Sequence, residues 1–344
     1  IGIVRIFISL RILKMSNSLK ALTMGLFSLL VLKSAIAENR PNIVFIIADD
    51  LTFRDIGCYG SHNVETPHID SLAEEGIRFT RCFQASAMCS PTRHNIYTGL
   101  YPVKSGAYPN STLAYDGTKS VAHYLSEVGY RVSLTGKIHV WPESVFTFEY
   151  LNKDEDTESY ENDPDLEAVE TFLARDPNQP SCTFICYNEP HTPWTRGDAS
   201  QFDPDKLVLP PYFVDTPTTR KHLVDYYAEV KYLDDSVGEV ITLLDRSGMR
   251  DNTLLIFVSE QGMAMPFAKW TCYDSGLQAA FVARWPGKIK AGSLSEAMIE
   301  YVDILPTLVE AAGTTPAKVL EGKSFLPVLL GHKEHHKDYV YALQ

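Results

Sequence analysis

The fold is decided first by residues 42–50, which read NIVFIIADD. A continuous apolar run such as residues 42–48 predicts a strand covered on both faces, because a half-exposed strand would alternate apolar and polar residues. Two adjacent carboxylates, Asp49 and Asp50, follow the run directly. The stretch therefore predicts a buried central strand with acidic side chains at its carboxyl end.

Strand-like runs recur along the rest of the chain, and helical patterns separate them. The predicted strands are 42–48, 130–136, 181–187, 253–259 and 279–285, and the predicted helices are 67–76, 164–176, about 219–244 and 300–313. This alternation predicts an α/β domain with a largely parallel central sheet sandwiched by helices. Such sheets bind their ligands at the carboxyl ends of the strands.

The composition limits the classes of partner. The 344 residues are 45% hydrophobic and 22% charged, which is typical of a globular protein. A formal net charge of −12 argues against bulk attraction to nucleic acid or to an acidic membrane surface. Any anion that binds here must be held by a local cluster of cations.

Residues 1–37 are interpreted as upstream residues plus a signal peptide. Their apolar run from Ala21 to Leu32 is shorter than the roughly 18 residues that a membrane span needs. The run is followed by the small-residue pattern Ala35-Ile36-Ala37, which is typical of a cleavage site. We therefore expect an exported protein, periplasmic or secreted, without a stable membrane anchor, whose catalytic domain is 38–344.

Six cysteines in an exported chain raise the question of disulfide bonds. Cys182 and Cys186 lie on one predicted strand, where four residues span roughly 13 Å, whereas a disulfide needs Cα atoms within about 7 Å. These two are therefore not expected to pair with each other. The state of Cys58, Cys82 and Cys272 stays open.

The paired aspartates admit two interpretations. Asp49 and Asp50 could belong to a loop or cap a helix, but a hard cation would make two adjacent carboxylates favourable. Ca²⁺ takes six to eight oxygen ligands and accepts amides as well as carboxylates. Glu260 and Gln261, which follow the strand 253–259, supply one of each. The absence of a His or Cys pair at zinc spacing argues against zinc.

Further polar residues follow the predicted strands. Lys137 and His139 come after 130–136, His191 lies between prolines after 181–187, and Lys269 follows in PFAKW. Each alone could be an ordinary surface or loop residue. Together they fall on the edge of the sheet where a ligand is expected.

Cys89 stands at the start of a predicted helix, in the pentapeptide CSPTR. Pro91 suits the first turn of a helix. The helix N-terminus offers free N–H groups to an anion, and the guanidinium group of Arg93 adds a positive charge there. A cysteine in this position is predicted to have a depressed pKa. On spacing alone, a thiol hydrolase is one interpretation.

These motifs resemble a known family. The pentapeptide 89–93, continued by Tyr97-Thr98-Gly99, resembles the signature of the formylglycine-dependent sulfatases of the alkaline-phosphatase-like superfamily. GYRVSLTGKIH (129–139) resembles their second signature. FIIADDL, HTPW and LLIFVSEQG follow in the order of the family, so the resemblance covers residues 40–340.

The resemblance implies a mechanism. Cys89 would be oxidised to formylglycine by a formylglycine-generating maturation enzyme, and the hydrate of that aldehyde would attack sulfur. The implied Ca²⁺ ligands are Asp49, Asp50, Glu260, Gln261 and the modified residue 89. The implied roles of the remaining residues are charge stabilisation by Arg93, Lys137 and Lys269, assistance to the departing alcohol by His191 or Lys269, and proton removal that expels sulfate by His139.

The chain departs from the family in two ways. Glu260-Gln261 stands where the family usually has Asp followed by Asn or His. The chain also stops where a small C-terminal antiparallel subdomain usually begins, so we expect that subdomain, and part of the substrate pocket, to be missing.

The expected function is that of a secreted sulfuric-ester hydrolase acting on a sulfated carbohydrate. One alternative is a phosphonate or phosphodiester hydrolase of the same superfamily. The other is a non-catalytic polysaccharide-binding relative, against which the presence of the nucleophile, the base and the acidic ligands argues.

Overall fold

A computed structural model describes residues 40–151 and 163–343, so the expected signal peptide lies outside the described residues. Within these ranges nine strands form one sheet. They are β1 (Asn42–Ala48), β2 (Ile77–Phe83), β3 (Arg131–Gly136), β4 (Glu149–Tyr150), β5 (Ser181–Cys186), β6 (Thr253–Ser259), β7 (Gln278–Arg284), β8 (Ser293–Ser295) and β9 (Ile299–Glu300).

The order of the strands confirms a largely parallel sheet. Their order is β4-β3-β5-β1-β6-β7-β2-β8, with β9 beside β2. Strand β1 lies parallel to both β5 and β6, and β3 lies parallel to both β4 and β5. Strand β7 runs antiparallel to β6 and β2, because the chain returns from β6 through a loop instead of a crossover helix.

Strand β2 was not predicted from the sequence. Its residues IRFTRCF alternate between buried and partly exposed positions, with Arg81 exposed. A strand that is covered on one face only lacks the continuous apolar run by which the other strands are predicted.

Nine helices are seen in the described residues. They are α1 (Pro67–Glu75), α2 (Cys89–Thr98), α3 (Pro102–Ser105), α4 (Val121–Ser126), α5 (Leu166–Ala174), α6 (Pro217–Arg246), α7 (Asp274–Leu277), α8 (Ile304–Ala311) and α9 (Leu326–Leu329). The four predicted helices are present with shifted ends. The oxygen of Thr216 accepts a hydrogen bond from the Thr219 N–H at 3.1 Å and so starts α6 earlier than predicted. Pro306 falls in the first turn of α8, where its missing N–H costs no hydrogen bond.

Strand β1 lies between two hydrophobic clusters, which explains its continuous apolar sequence. Ile43, Phe45 and Ile47 pack into one cluster together with residues of α2, α4 and α8. Val44 and Ile46 pack into the other cluster, with residues of α1, α5 and α6. Helices therefore cover both faces of the central strand, as the sequence predicts.

Backbone hydrogen bonds hold the carboxyl ends of four strands together. The Asp49 N–H donates to the Glu189 carbonyl at 3.2 Å, and the Glu260 N–H donates to the Ala48 carbonyl at 2.7 Å. The Lys137 N–H donates to the Cys186 carbonyl at 2.8 Å. The residues that follow β1, β3, β5 and β6 are thereby brought to one edge of the sheet.

All six cysteines lie in the described ranges and are free thiols. Cys182 and Cys186 both lie on β5, as predicted, and do not pair. Among the helices of residues 40–151 and 163–343, none is both long and apolar enough to cross a bilayer.

Candidate active site

The paired aspartates lie directly beyond β1 and are fully buried. Asp50 has a φ of 56°, in the left-handed region that few non-glycine residues adopt and that Asp tolerates better than most. The Gln261 Nε2 atom lies 3.2 Å from Asp49 Oδ1 and 2.6 Å from Asp50 Oδ1. The ends of β1 and β6 thus contribute side chains to a single cluster.

Cys89 is the first residue of α2 and lies within this cluster. Its Sγ atom is 3.3 Å from Asp49 Oδ1 and 3.2 Å from Gln261 Nε2. Burial raises the pKa of the Cys89 thiol well above its ordinary value, and the carboxylates of Asp49 and Glu260 raise it further. The predicted depressed pKa is therefore wrong, because burial among acidic groups outweighs the effect of the helix N-terminus. The thiol-hydrolase interpretation loses its basis.

Arg93 is held by a buried carboxylate. Its Nε and Nη2 atoms donate to the two oxygens of Glu260 at 3.0 and 3.1 Å, and its Nη1 atom donates to the Lys137 carbonyl at 2.9 Å. Such a bidentate ion pair is strong and geometrically specific. Glu260, which the sequence analysis predicts to be a metal ligand, therefore has both carboxylate oxygens in contact with a guanidinium group.

Two lysines approach the aspartates. The Lys137 ammonium forms an ion pair with Asp49 and lies 3.0 Å from the Asn188 side-chain oxygen. The Lys269 Nζ atom lies 2.7 Å from Asp50 Oδ2. Burial disfavours ionisation of Asp49, but Lys137 and the other nearby cations outweigh it and hold the pKa of Asp49 below its ordinary value. Burial and the charge of Asp49 raise the pKa of Asp50, while Lys269 opposes this rise.

The two predicted histidines occupy different settings. His139 has a φ of 46°, and its Nε2 atom lies 3.1 Å from the Ser111 hydroxyl. Burial, together with the charges of Arg93 and Lys137, lowers the pKa of His139 to about 3. Its imidazole is therefore neutral near pH 7.

His191 lies at the opening of the site and is only partly buried. Its Nδ1 atom is 2.6 Å from the Thr192 carbonyl, so this nitrogen carries the proton and donates it. Its Nε2 atom then lies 3.7 Å from Asp50 Oδ2. Asp49, Cys89 and His191 have potential ligand atoms within 4.8 Å of one another.

Two contacting residues, Asn110 and Ser111, have no sequence prediction of their own, whereas a third, Asn188, belongs to the polar residues 188–191 that are expected after the strand 181–187. Asn110 accepts a hydrogen bond from the Ser90 N–H at 3.0 Å, Ser111 contacts His139, and Asn188 contacts Lys137. Asn110 and Ser111 lie in a polar connection without periodicity, so no sequence signal distinguishes them. Asn188 directly precedes the loop of His191, and its position after a strand is its only sequence signal.

The donor set fits a hard divalent cation. The Gln261 Oε1 atom is buried and has no hydrogen-bond partner among the described residues, whereas its Nε2 atom faces Asp49, Asp50 and Cys89. The oxygen and nitrogen of an amide can be exchanged by a flip of the group. The flip would place the amide oxygen beside two carboxylates, and such oxygen donors suit Ca²⁺ or Mg²⁺ better than zinc.

Comparison with known proteins relates the chain to one family. The family model described as Sulfatase matches residues 41–314. An ulvan-active sulfatase of Formosa agariphila is 36% identical over 321 residues, and this match covers 92% of the present chain. The chain spans 63% of the length of that relative.

Solved structures share the fold. A structure described as a complex with its substrate D-glucosamine-2-N,6-O-disulfate has a TM-score of 0.74 at 22% identity, covering 88% of this chain and 82% of the other. A phosphonate monoester hydrolase of Agrobacterium radiobacter has a TM-score of 0.72 at 20% identity, covering 85% and 77%. At these identities the likeness concerns the fold alone.

Proposed function

Because the chain belongs to the sulfatase family, we propose that it hydrolyses sulfuric esters of a carbohydrate. The observation that carries this proposal is the position of Cys89 at the start of α2. Its sulfur lies in contact with Asp49 and Gln261, and the cations Arg93 and Lys137 are part of the same buried cluster. The charge on a sulfate group would be offset by these cations.

Residue 89 is proposed to act as formylglycine, formed from Cys89 by a formylglycine-generating maturation enzyme. The raised pKa of the thiol supports this, because a thiol that stays protonated is a weak nucleophile. The hydrate of formylglycine would supply the attacking hydroxyl group. The unmodified side chain would not.

Ca²⁺ is the proposed metal. Asp49, Asp50, Gln261 and residue 89 would hold it, with Glu260 as a fifth candidate from the sequence. The orphaned amide oxygen of Gln261 supports this assignment. When bound, a divalent cation would polarise the sulfate oxygens and stabilise charge that develops on them.

The other residues have roles that follow from their settings. Lys269 is buried against Asp50 and would bind a sulfate oxygen. His191 or Lys269 would donate a proton to the departing alcohol, since both approach Asp50 Oδ2, at 3.7 and 2.7 Å. His139 is held by Ser111 beside the cluster and would accept a proton in the step that releases sulfate.

Export is part of the proposal. A sulfated polysaccharide is too large to enter a cell intact, and residues 1–37 have the pattern of a signal peptide. Expression of the chain with residues 1–37, followed by N-terminal sequencing of the protein from the periplasm and the medium, tests this. A start near Glu38 is expected, whereas an uncleaved protein confined to the cytoplasm would contradict export.

A screen of substrates tests the proposed activity. The chain is produced together with a formylglycine-generating enzyme and assayed for sulfate release from ulvan and carrageenan oligosaccharides, and for hydrolysis of a phosphonate monoester. The Cys89→Ala variant is the control. Sulfate release that is absent in the control supports the proposal. Turnover of the phosphonate alone would favour the phosphonate hydrolase alternative, and no turnover would favour a binding protein.

A further inference from the structure

Four exposed aromatic side chains lie near the candidate site. They are Tyr212, Phe267, Trp270 and Tyr273, here called the aromatic rim, and between 41% and 59% of each is exposed. Large aromatic residues are usually buried, so a cluster of them in solvent is informative. The rim therefore points to a surface that contacts another molecule.

The rim is continuous with the candidate site. The Trp270 N–H donates to the Ala87 carbonyl at 2.9 Å, two residues before Cys89. Lys269, which precedes Trp270, places its Nζ atom 2.7 Å from Asp50 and 6.0 Å from the centre of the Trp270 ring. A molecule whose sulfate group reaches Lys269 would therefore lie beside Trp270.

The outer part of the rim is held together by its own rings. The Phe267 ring centre lies 5.8 Å from that of Tyr212 and 5.9 Å from that of Tyr273, in edge-to-face arrangements. Phe267 and Trp270 have φ angles of 69° and 66°, which are unfavourable for bulky side chains. Residues held in such conformations are frequent at ligand sites, and here the loop presents both rings to solvent at that cost.

A cation lies in the cleft beside the rim. Two adjoining cavities of about 530 and 420 Å³ share Thr52, Arg54 and Tyr212 in their walls, and each wall also contains one carboxyl group, Asp55 in the larger cavity and Asp274 in the smaller. Arg54 is exposed, and it forms no ion pair with any carboxylate in the described part of the chain. In a chain of net charge −12, an accessible guanidinium group next to aromatic rings suits an anionic ligand.

We propose that the aromatic rim and Arg54 bind sugar rings next to the one that carries the scissile sulfate ester. This inference rests on the proposed function and names its substrate class, an anionic oligosaccharide or polysaccharide instead of a free monosaccharide. The C–H face of a pyranose ring packs against an aromatic face. Arg54 pairs with a carboxylate or a second sulfate of a neighbouring sugar.

The test compares two substrate lengths in one variant and its controls. Phe267→Ala removes the central ring of the rim, Phe267→Tyr keeps it, and Tyr339→Ala removes an exposed aromatic residue that does not line the rim. The matured chain is assayed with a sulfated ulvan tetrasaccharide and with the sulfated monosaccharide from the same polymer. Phe267→Ala is expected to lower kcat/KM for the tetrasaccharide about tenfold and to leave the monosaccharide unaffected within about twofold. The other two variants are expected to match the parent.

Other outcomes would overturn the inference. Equal losses for both substrates would mean that Phe267 acts on the catalytic site, and no loss would assign the rim to a protein contact. If the parent releases no sulfate, the proposed function fails. Binding of the tetrasaccharide, measured by tryptophan fluorescence, then tests separately whether the rim binds sugar rings. Binding that Phe267→Ala weakens about tenfold would support the rim, and its absence would overturn it.

Discussion

The buried cluster around Cys89 and the aromatic rim beside it differ in how their groups are satisfied. In the cluster, Asp49 pairs with Lys137, Asp50 with Lys269 and Glu260 with Arg93, so each acidic group already has a cationic partner. In the rim, the rings lie in solvent and Arg54 has no partner among the described carboxylates. Contacts within the protein fix the geometry of the cluster. In the rim, the proposed ligand would supply the partners of the exposed rings and of Arg54. Under the two proposals, the reaction belongs to the cluster and the choice of substrate to the rim.

The largest expected effect concerns residue 89. Cys89→Ala is expected to lower sulfate release at least about 10⁴-fold, because no other group in the cluster replaces the nucleophile. Tetrasaccharide binding at the rim is expected to persist. Cys182→Ala is the matched control, since Cys182 is equally buried but lies within β5. Comparable turnover by Cys89→Ala and by the control would separate the reaction from this cluster.

Replacement of His139 separates sulfate release from the earlier loss of the sugar. His139→Ala is expected to lower kcat about 10²- to 10⁴-fold, because a positioned base is lost. Its role in sulfate release predicts a burst of desulfated sugar with free sulfate lagging behind, which rapid quench of both products measures. Ser111→Ala should cause a smaller loss, since Ser111 only holds the imidazole. Simultaneous appearance of both products in His139→Ala would contradict the assigned role.

Replacement of Glu260 tests whether its ion pair with Arg93 also stabilises the folded protein. Glu260→Ala leaves Arg93 buried without its carboxylate, and removal of one partner of a buried pair costs about 3–5 kcal/mol. The free energy of unfolding, measured in urea with and without Ca²⁺, checks this value. Ca²⁺ affinity and activity should fall together if Glu260 is also a ligand.

A titration of Ca²⁺ into chelator-stripped protein separates the two roles of Glu260. Glu260→Asp keeps the charge but shortens the side chain, so it should weaken both Ca²⁺ binding and the pair with Arg93. A Glu260→Ala variant that binds Ca²⁺ like the parent but unfolds more easily would restrict Glu260 to holding Arg93.

Asp55, in the wall of the larger cavity beside the rim, is expected to affect stability and to have little effect on sulfate release. Burial raises the pKa of Asp55 to about 7, although hydrogen bonds from Tyr226 and Tyr227 oppose the rise. Between pH 3.8 and about 7 the folded chain keeps a proton that the unfolded chain loses, so stability falls as the pH rises. The contribution is about 1.4 kcal/mol per pH unit.

Replacement of that carboxyl group isolates its part of the pH dependence. In Asp55→Asn, the fall in stability across this pH range should be smaller than in the parent, as measured by urea unfolding at several pH values. Sulfate release at a fixed pH should change little. An identical pH dependence in the two proteins would show that Asp55 titrates normally.

The central strand and the cluster could be predicted from the sequence, because their signals are local. NIVFIIA predicts a strand covered on both faces, and the parallel sheet brings the residues after each strand to one edge. The pairing of Arg93 with Glu260 could not be predicted, since these residues are separated by 167 positions. The pKa of Cys89 was predicted in the wrong direction because burial among carboxylates depends on the same long-range packing.

The rim carried no comparable signal. In MPFAKWTCYD the three aromatic residues stand three positions apart, as on one face of a helix, and Phe and Trp are ordinarily assigned to a core. Their exposure depends on the path of the loop, which includes the hydrogen bond from Trp270 to Ala87. Strand β2 was missed for a related reason, since a strand covered on one face has too few consecutive apolar residues.

The most direct test is the chemical state of residue 89 in relation to activity. Preparations with different degrees of maturation can be made by varying the formylglycine-generating enzyme, and the fraction of aldehyde at residue 89 measured by peptide mass spectrometry. Sulfate release should rise in proportion to this fraction and vanish when only the thiol is present. Full activity in a preparation that contains only unmodified Cys89 would contradict the account.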